Sequence, residues 1–274
     1  MSRRWGRARN RLREMTTSGA HMNKALMALL LAPIAGMPTR AAEIHILSAA
    51  AMQTVFASIA PAFEQAAGHR LVFTYTTMGA ITERVLKGES ADLVVGSTAS
   101  MTRLVKEGRI DPQSTVDIAR VGVGLVVPTG TAKPPLRSVD DFRNALLGAK
   151  RVVYADPAGG GAAGIHVAKL IEKLGIVAEL RPKTKYGAGG DVFEVTLAQG
   201  EGTLGLTQIS EIVGRPGGEF VGALSDELQN YTGITVGTPS GAARSAPVAA
   251  FIEFLRSPAA ASAILARGMQ PSSL

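Results

Sequence analysis

Three short loops of small and hydroxyl-bearing residues carry most of the chemistry open to this 274-residue chain. They are Ser48-Ala49-Ala50-Ala51, Thr76-Thr77-Met78-Gly79 and the stretch from Ala158 to Gly164. Each follows a β-leaning apolar run and precedes a helical one. In open α/β sheets the crevice lies outside the carboxyl ends of the strands, where helix N-termini aim free backbone N–H groups. Small residues let a ligand approach that backbone, and Ser48, Thr76 and Thr77 add hydroxyl donors. A single such loop is explained by the needs of a tight strand–helix turn. Three in matching positions point to one shared anion-accepting crevice.

Gly159-Gly160-Gly161-Ala162-Ala163-Gly164 also satisfies G-x-G-x-x-G, with Glu179 near where a dinucleotide-binding unit places its ribose acid. Two features weigh against that chemistry. Asp156-Pro157-Ala158 separates the strand from the glycines, and Leu180-Arg181-Pro182-Lys183 makes a poor buried strand. The chain has no G-x-S-x-G elbow, no P-loop and no H-E-x-x-H. It has no cysteine, so thiolate chemistry, disulfides and Cys-ligated metals are excluded. His45 and His69 read as structural, while His166 falls in the first turns of the helix after the glycine loop, within reach of the crevice. Asp92 and Asp191 stand at element starts, where capping accounts for them. No pair of groups suggests acid–base catalysis, and no cofactor or metal is expected.

The elements that position these loops alternate between strand and helix. Glu43–Leu47, Leu71–Tyr75 and Leu93–Gly96 are β-leaning. Between and after them Met52–Ala67, Gly79–Leu86 and Ala99–Glu107 have helical periodicity. A long β-biased run from Val116 to Pro128 is able to leave one lobe and enter another. The alternation then restarts, with Ser138 as N-cap of a helix at Val139–Leu147, a strand at Val152–Ala155 and a helix at Ala162–Leu174. Asp191–Gln199 reads as helix, and Thr203–Thr207 and Gly233–Val236 as strands. A C-terminal helical stretch, Ala246–Ala266, is broken by Pro258 and returns to the first lobe. Such alternation predicts an α/β fold built from βαβ units.

The N-terminus reads differently. Residues 1–21 form an Arg-rich extension outside the fold. Met22 to Ala41 has the charged, apolar and small-x-small order of a cleavable signal peptide, with cleavage after Ala41. Residues 1–41 hold eight of the 29 Lys and Arg and one of the 22 Asp and Glu, so the rest of the chain carries 21 of each. The calculated pI near 9.9 belongs to this leader and argues for no nucleic-acid partner.

Several stretches, taken in order, make residues 42–274 resemble the molybdate-binding-protein-like branch of the periplasmic substrate-binding proteins. They are Ile46-Leu47-Ser48-Ala49-Ala50-Ala51, Ala91-Asp92-Leu93-Val94-Val95-Gly96, Ala155-Asp156-Pro157 with Ala163-Gly164-Ile165, Thr203-Leu204-Gly205-Leu206-Thr207, and Phe251-Ile252-Glu253-Phe254-Leu255 with the alanines after Pro258. The resemblance implies a type 2 periplasmic binding fold of two Rossmann-like lobes joined by two crossover strands. Lobe one would comprise residues 42–122 with 234–274, and lobe two residues 123–233. It further implies a monomeric, non-enzymatic binding protein in the periplasm that clamps a small solute by hinge closure and hands it to an ABC-type permease. Matching the family's motifs sets Ala51 and Met78 where molybdate binders have hydroxyls, and Gln208 where they have a tyrosine. The expected contacts are Ser48, Ala51, Thr77, Met78 and Gly79 from lobe one, and Ala163, His166, Val192 and Gln208 from lobe two. The lost hydroxyls favour a small organic carboxylate over a tetrahedral oxyanion. A nicotinamide-dependent oxidoreductase using the Gly159–Gly164 loop, or the ligand-sensing domain of a regulator, are the alternatives.

Overall fold

A computed structural model describes residues 41–242 and 245–272; the extension and signal peptide expected over 1–41 lie, apart from Ala41, outside the described residues. The chain opens with the parallel units expected of alternating strand and helix: β1 (Glu43–Ala49), α1 (Gln53–Ala67), β2 (Arg70–Thr76), α2 (Met78–Leu86), β3 (Leu93–Ser97) and α3 (Thr98–Lys106). The Val116–Pro128 run is two strands, β4 (Val116–Val121) and β5 (Val123–Pro128), split at Gly122. Then come α4 (Val139–Gly148), β6 (Arg151–Ala155), α5 (Ala162–Lys173), α6 (Val177–Leu180), β7 (Thr184–Gly187), α7 (Val192–Gln199), β8 (Thr203–Gln208) and β9 (Gly218–Ala223). The chain closes with β10 (Thr232–Gly237), α8 (Ala246–Leu255), α9 (Pro258–Ala266) and the short β11 (Gln270–Pro271).

The strands form two mixed sheets, ordered β11-β4-β10-β3-β1-β2 and β7-β6-β8-β5-β9. Each sheet has its own apolar core. Around the first, Phe56, Phe63, Phe73 and Phe251 interlock, with Phe63 and Phe251 edge to face at 4.9 Å. The second is mainly aliphatic, built on Leu125, Val152, Val167, Leu206 and their neighbours, with Phe142 and Tyr154 among them. No single helix among the described residues is long and apolar enough to cross a membrane. α8 and α9 instead press Val248, Phe251, Ile252, Ala260 and Ile264 into the first core.

Register brings the crevice loops together. β1 and β2 pair in parallel with Ala49 opposite Thr76, so the loops after them emerge side by side. In the second sheet β6 and β7 pair with Ala155 opposite Gly187, which aligns the loops leading to α5 and α7 in the same way. The sheets are joined by the β4–β5 step and by the segment from β9 to β10. The Gln229 side chain straps these connections together: its Oε1 accepts the Val123 N–H at 2.7 Å and its Nε2 donates to the Val123 carbonyl at 2.9 Å. A Cβ on Gly122 would lie 2.9 Å from that amide, so the strap needs a glycine where the run changes sheets.

Some elements differ from expectation. The stretch after Glu179 is a helical turn followed by the unanticipated strand β7, and β9 and β11 carried no strand pattern. Neither aspartate caps a helix by its side chain. Asp92 accepts the His45 N–H at 2.8 Å, and Asp191 accepts the Gly189 N–H at 3.1 Å.

Candidate functional site

The loops converge on a small cavity between the two sheets, about 40 Å³ in volume. Its wall is formed by Ala49–Ala51 and Thr76–Met78 on one side, and by Ala155, Gly161–Ala163, Gly189, Gly190, Thr207, Gln208 and Glu211 on the other. Four helices begin here, namely α1 after its 3₁₀ turn, α2, α5 and α7. Elsewhere α3, α4, α8 and α9 each start on a serine, at Ser97, Ser138, Ser245 and Ser257, whose hydroxyl accepts a first-turn N–H. At the cavity the starts of α1, α5 and α7 have no side-chain cap. Only α2 has one, from Thr77 to the Ala80 N–H at 3.1 Å. First-turn N–H groups have no intrahelical acceptor and carry the positive end of the helix dipole. Their convergence makes a site for negative charge.

The two sides are drawn closed. Thr77 Oγ1 donates to the Gly159 carbonyl at 2.7 Å and the Gly79 N–H to the Gly160 carbonyl at 3.1 Å. Deeper in, Ser210 Oγ donates to the Ala51 carbonyl at 2.7 Å and Thr54 Oγ1 to the Ser210 carbonyl at 2.8 Å. Gly79 and Gly160 meet backbone to backbone, and a Cβ on either would stand 2.8 Å from the other's Cα. The glycine-rich stretch therefore has other work than cradling a dinucleotide. Gly159 and Gly160 present carbonyls to the opposite lobe, and Gly164 lets α5 lie against β6, where a Cβ would fall 2.1 Å from the Ala155 carbonyl oxygen.

Among the residues expected at the site, Ala51, Thr77, Met78, Ala163 and Gln208 line the cavity. Four do not. Ser48 is fully buried within β1 and its hydroxyl donates to the Ala49 carbonyl at 3.2 Å. Gly79 is spent on the closing contact. His166 is turned away, with Nε2 2.7 Å from the Leu228 carbonyl. Val192 packs among Val153, Ala155 and Val195.

Glu211, which sequence reasoning passed over, is the one titratable side chain lining the cavity among the described residues. It follows β8 in a short 3₁₀ turn, is 8 % exposed, and accepts a hydrogen bond from Thr207 Oγ1. Burial pushes its carboxyl above the usual range, against the Thr207 hydrogen bond and the nearby Arg215 charge. Beside it, the Gln208 amide donates to Thr232 Oγ1 at 3.3 Å while its buried Oε1 has no partner among the described residues. Half a turn of that amide would let Thr232 donate to Oε1 and free the NH₂ for an anion. No cluster of three or more metal-ligating side chains occurs among the described residues.

Residues 44–270 match the family described as bacterial extracellular solute-binding protein. A Pseudomonas protein named aconitate isomerase is 29% identical, the match covering 90% of this chain and 95% of that one. The molybdate-binding protein ModA of Rhodobacter capsulatus is 27% identical over the same shares. Among solved structures, the periplasmic molybdate-binding protein of Azotobacter vinelandii superposes with a TM-score of 0.67 at 17% identity, covering 84% of this chain and all of that one.

Proposed function

The chain belongs to the bacterial extracellular solute-binding proteins, and from that premise we propose that it clamps a small organic carboxylate between its lobes for an ABC-type permease. The observation that carries this reading is the meeting of uncapped helix starts at a cavity that, among the described residues, is lined by no basic side chain. Such a site recognises an anion without a cationic side chain, through the N–H groups of the helix starts. Molybdate would find methyl and thioether groups where Ala51 and Met78 stand, and a buried oxyanion oxygen without a donor is costly. An organic di- or tricarboxylate carries carbon between its charged groups, and that carbon suits those walls. The Pseudomonas relative's name adds a precedent for a small carboxylate on this architecture. Export through a signal peptide cleaved after Ala41 and action as a monomer belong to the same proposal.

A thermal-shift panel of citrate, cis- and trans-aconitate, succinate, molybdate, tungstate, sulfate and NAD tests it. A ligand at a hundred times its dissociation constant adds about 2.7 kcal/mol, or roughly 5–10 °C in a chain of this size. The expected result is a shift with one or more carboxylates and none with NAD. A shift with molybdate or tungstate alone would replace the carboxylate reading with the oxyanion one.

A second reading is favoured by the isomerase relative together with Glu211. A carboxyl that faces a bound unsaturated acid can carry a proton between its carbons, and incubation with trans-aconitate followed by proton NMR would show the cis isomer if it does.

A further inference from the structure

We infer that Glu211 is a ligand contact of the cleft, whose protonated carboxyl donates a hydrogen bond to the bound anion. The inference rests on the clamp reading above and adds to it a coupling between binding and a proton. Its geometric basis is the position of Glu211 on the cavity wall, beyond the end of β8 and opposite the uncapped start of α1. One carboxyl oxygen accepts from Thr207 Oγ1, and the other has no hydrogen-bond partner among the described residues. A carboxylate there would face the incoming anion with like charge inside a cavity of low dielectric. A carboxylic acid would instead offer an O–H donor, the group that Ala51 and Met78 fail to supply.

The surrounding charges do not keep it ionised. Arg215, four residues on, pulls the other way, yet its guanidinium is engaged by Glu194 and lies 4.2 Å from the Phe193 ring centroid. Glu194 of α7 and Asp191 before it add negative charge that favours the protonated form. The segment packed across from the first lobe, Ala50–Met52 and the start of α1, has no charged residue. Burial dominates and holds the carboxyl above its ordinary range.

Linkage fixes the consequence. If the proton strengthens anion binding, the anion must raise proton affinity by the same factor. Affinity is then flat below the Glu211 pKa of the free protein and falls by up to tenfold per pH unit above it.

The test is calorimetry of the full chain and of Glu211→Gln with citrate and with molybdate from pH 5 to 9, each in two buffers of different ionisation enthalpy. Gln keeps an oxygen for Thr207 and stays neutral at every pH. Comparing the two proteins cancels titration of the probe itself. Expected is a wild-type affinity that declines with pH more steeply than that of Glu211→Gln, with proton uptake by the wild type in the declining range. That uptake needs no variant, so a misfolded Glu211→Gln would leave the proposal decidable. Equal pH dependence in the two proteins, or no wild-type proton uptake beyond that of the probe, would overturn the inference and leave the clamp standing. Absence of binding by either probe at any pH would overturn the clamp and this inference together.

Discussion

At the scale of the residue, the cleft is defined as much by the hydroxyls it lacks as by the groups it has. Ala51 and Met78 line the wall at the two helix starts contributed by the first lobe. Restoring a donor at each, with Ala51→Ser and Met78→Ser together, is expected to raise molybdate affinity. A hydrogen bond to a charged group is worth about 1.5–3 kcal/mol, so each is expected to contribute roughly tenfold or more. Titration calorimetry with molybdate checks this, and unchanged affinity would mean that backbone N–H groups alone set oxyanion recognition. Five of the nine expected contacts line the cavity: small and hydroxyl residues between strand and helix marked Thr77 and Ala163, and the family resemblance marked Ala51, Met78 and Gln208. Ser48 lies off the cavity for a reason invisible in the loop itself. β1 is covered on both faces from Ile46 onward, so the alternation that would aim a side chain at the crevice has no polar side to mark it. Glu211 was missed because an acid three residues past a strand end, in Ile209-Ser210-Glu211, reads as surface until the opposite lobe is seen to cover it.

At the scale of the element, strand ends and helix starts were well marked, while pairing was not. Serine marks four of the five helices that begin away from the cleft, the single turn α6 being the exception, and small residues mark the starts that face it. That contrast was present in the sequence, but it became meaningful only once the sheets showed which starts converge. β7 and β9 were missed because neither shows a two-residue period. β7 is Thr-Lys-Tyr-Gly at a sheet edge, and β9, at the other edge, is half-buried from Gly218 to Gly222 and contains two glycines. The long Val116–Pro128 run was legible as a crossing strand, and the structure divides it between two sheets at Gly122. Across the cleft, α2 and the turn before α5 meet backbone to backbone at Gly79 and Gly160. Gly160 has φ near +72° and resists substitution on conformation alone, whereas Gly79 begins a right-handed helix and is limited only by the opposing backbone. Gly79→Ala therefore isolates closure: its Cβ, 2.8 Å from the Gly160 Cα, forces the lobes apart by a fraction of an ångström or more. The expected outcome is an unliganded melting temperature within a few degrees of wild type and a loss of ligand affinity of tenfold or more. An unchanged affinity would show that the Gly79–Gly160 contact forms outside the binding-competent state.

At the scale of the whole molecule, the buried acid sets part of the dependence of stability on pH, and its sign is opposite to that of the surface pairs. Glu89, Asp141 and Glu219 are held below the usual carboxylate range chiefly by hydrogen bonds from Arg84, Arg137 and Lys133. Whatever stability they add is present above their unfolded pKa and is lost as pH falls through the folded value. These groups are exposed and solvent screens them, so the contribution is small. Glu211 is raised, not lowered. Below its unfolded value near 4.5 it is neutral in both states and imposes no charge-burial cost. As pH rises from there, the unfolded chain releases the proton while the folded chain holds it, so the favourable difference shrinks until the folded pKa is passed. Urea unfolding of wild type and Glu211→Gln from pH 4.5 to 8.5 is therefore expected to show wild type losing ground to the variant as pH rises. The gap should stop growing at the pH where Glu211 finally ionises in the folded protein. If binding draws on the same proton, that plateau and the onset of declining citrate affinity must coincide, since both report the titration of one carboxyl in the unliganded fold. Two different pH values would separate the buried acid that destabilises the molecule from the group that meets the ligand.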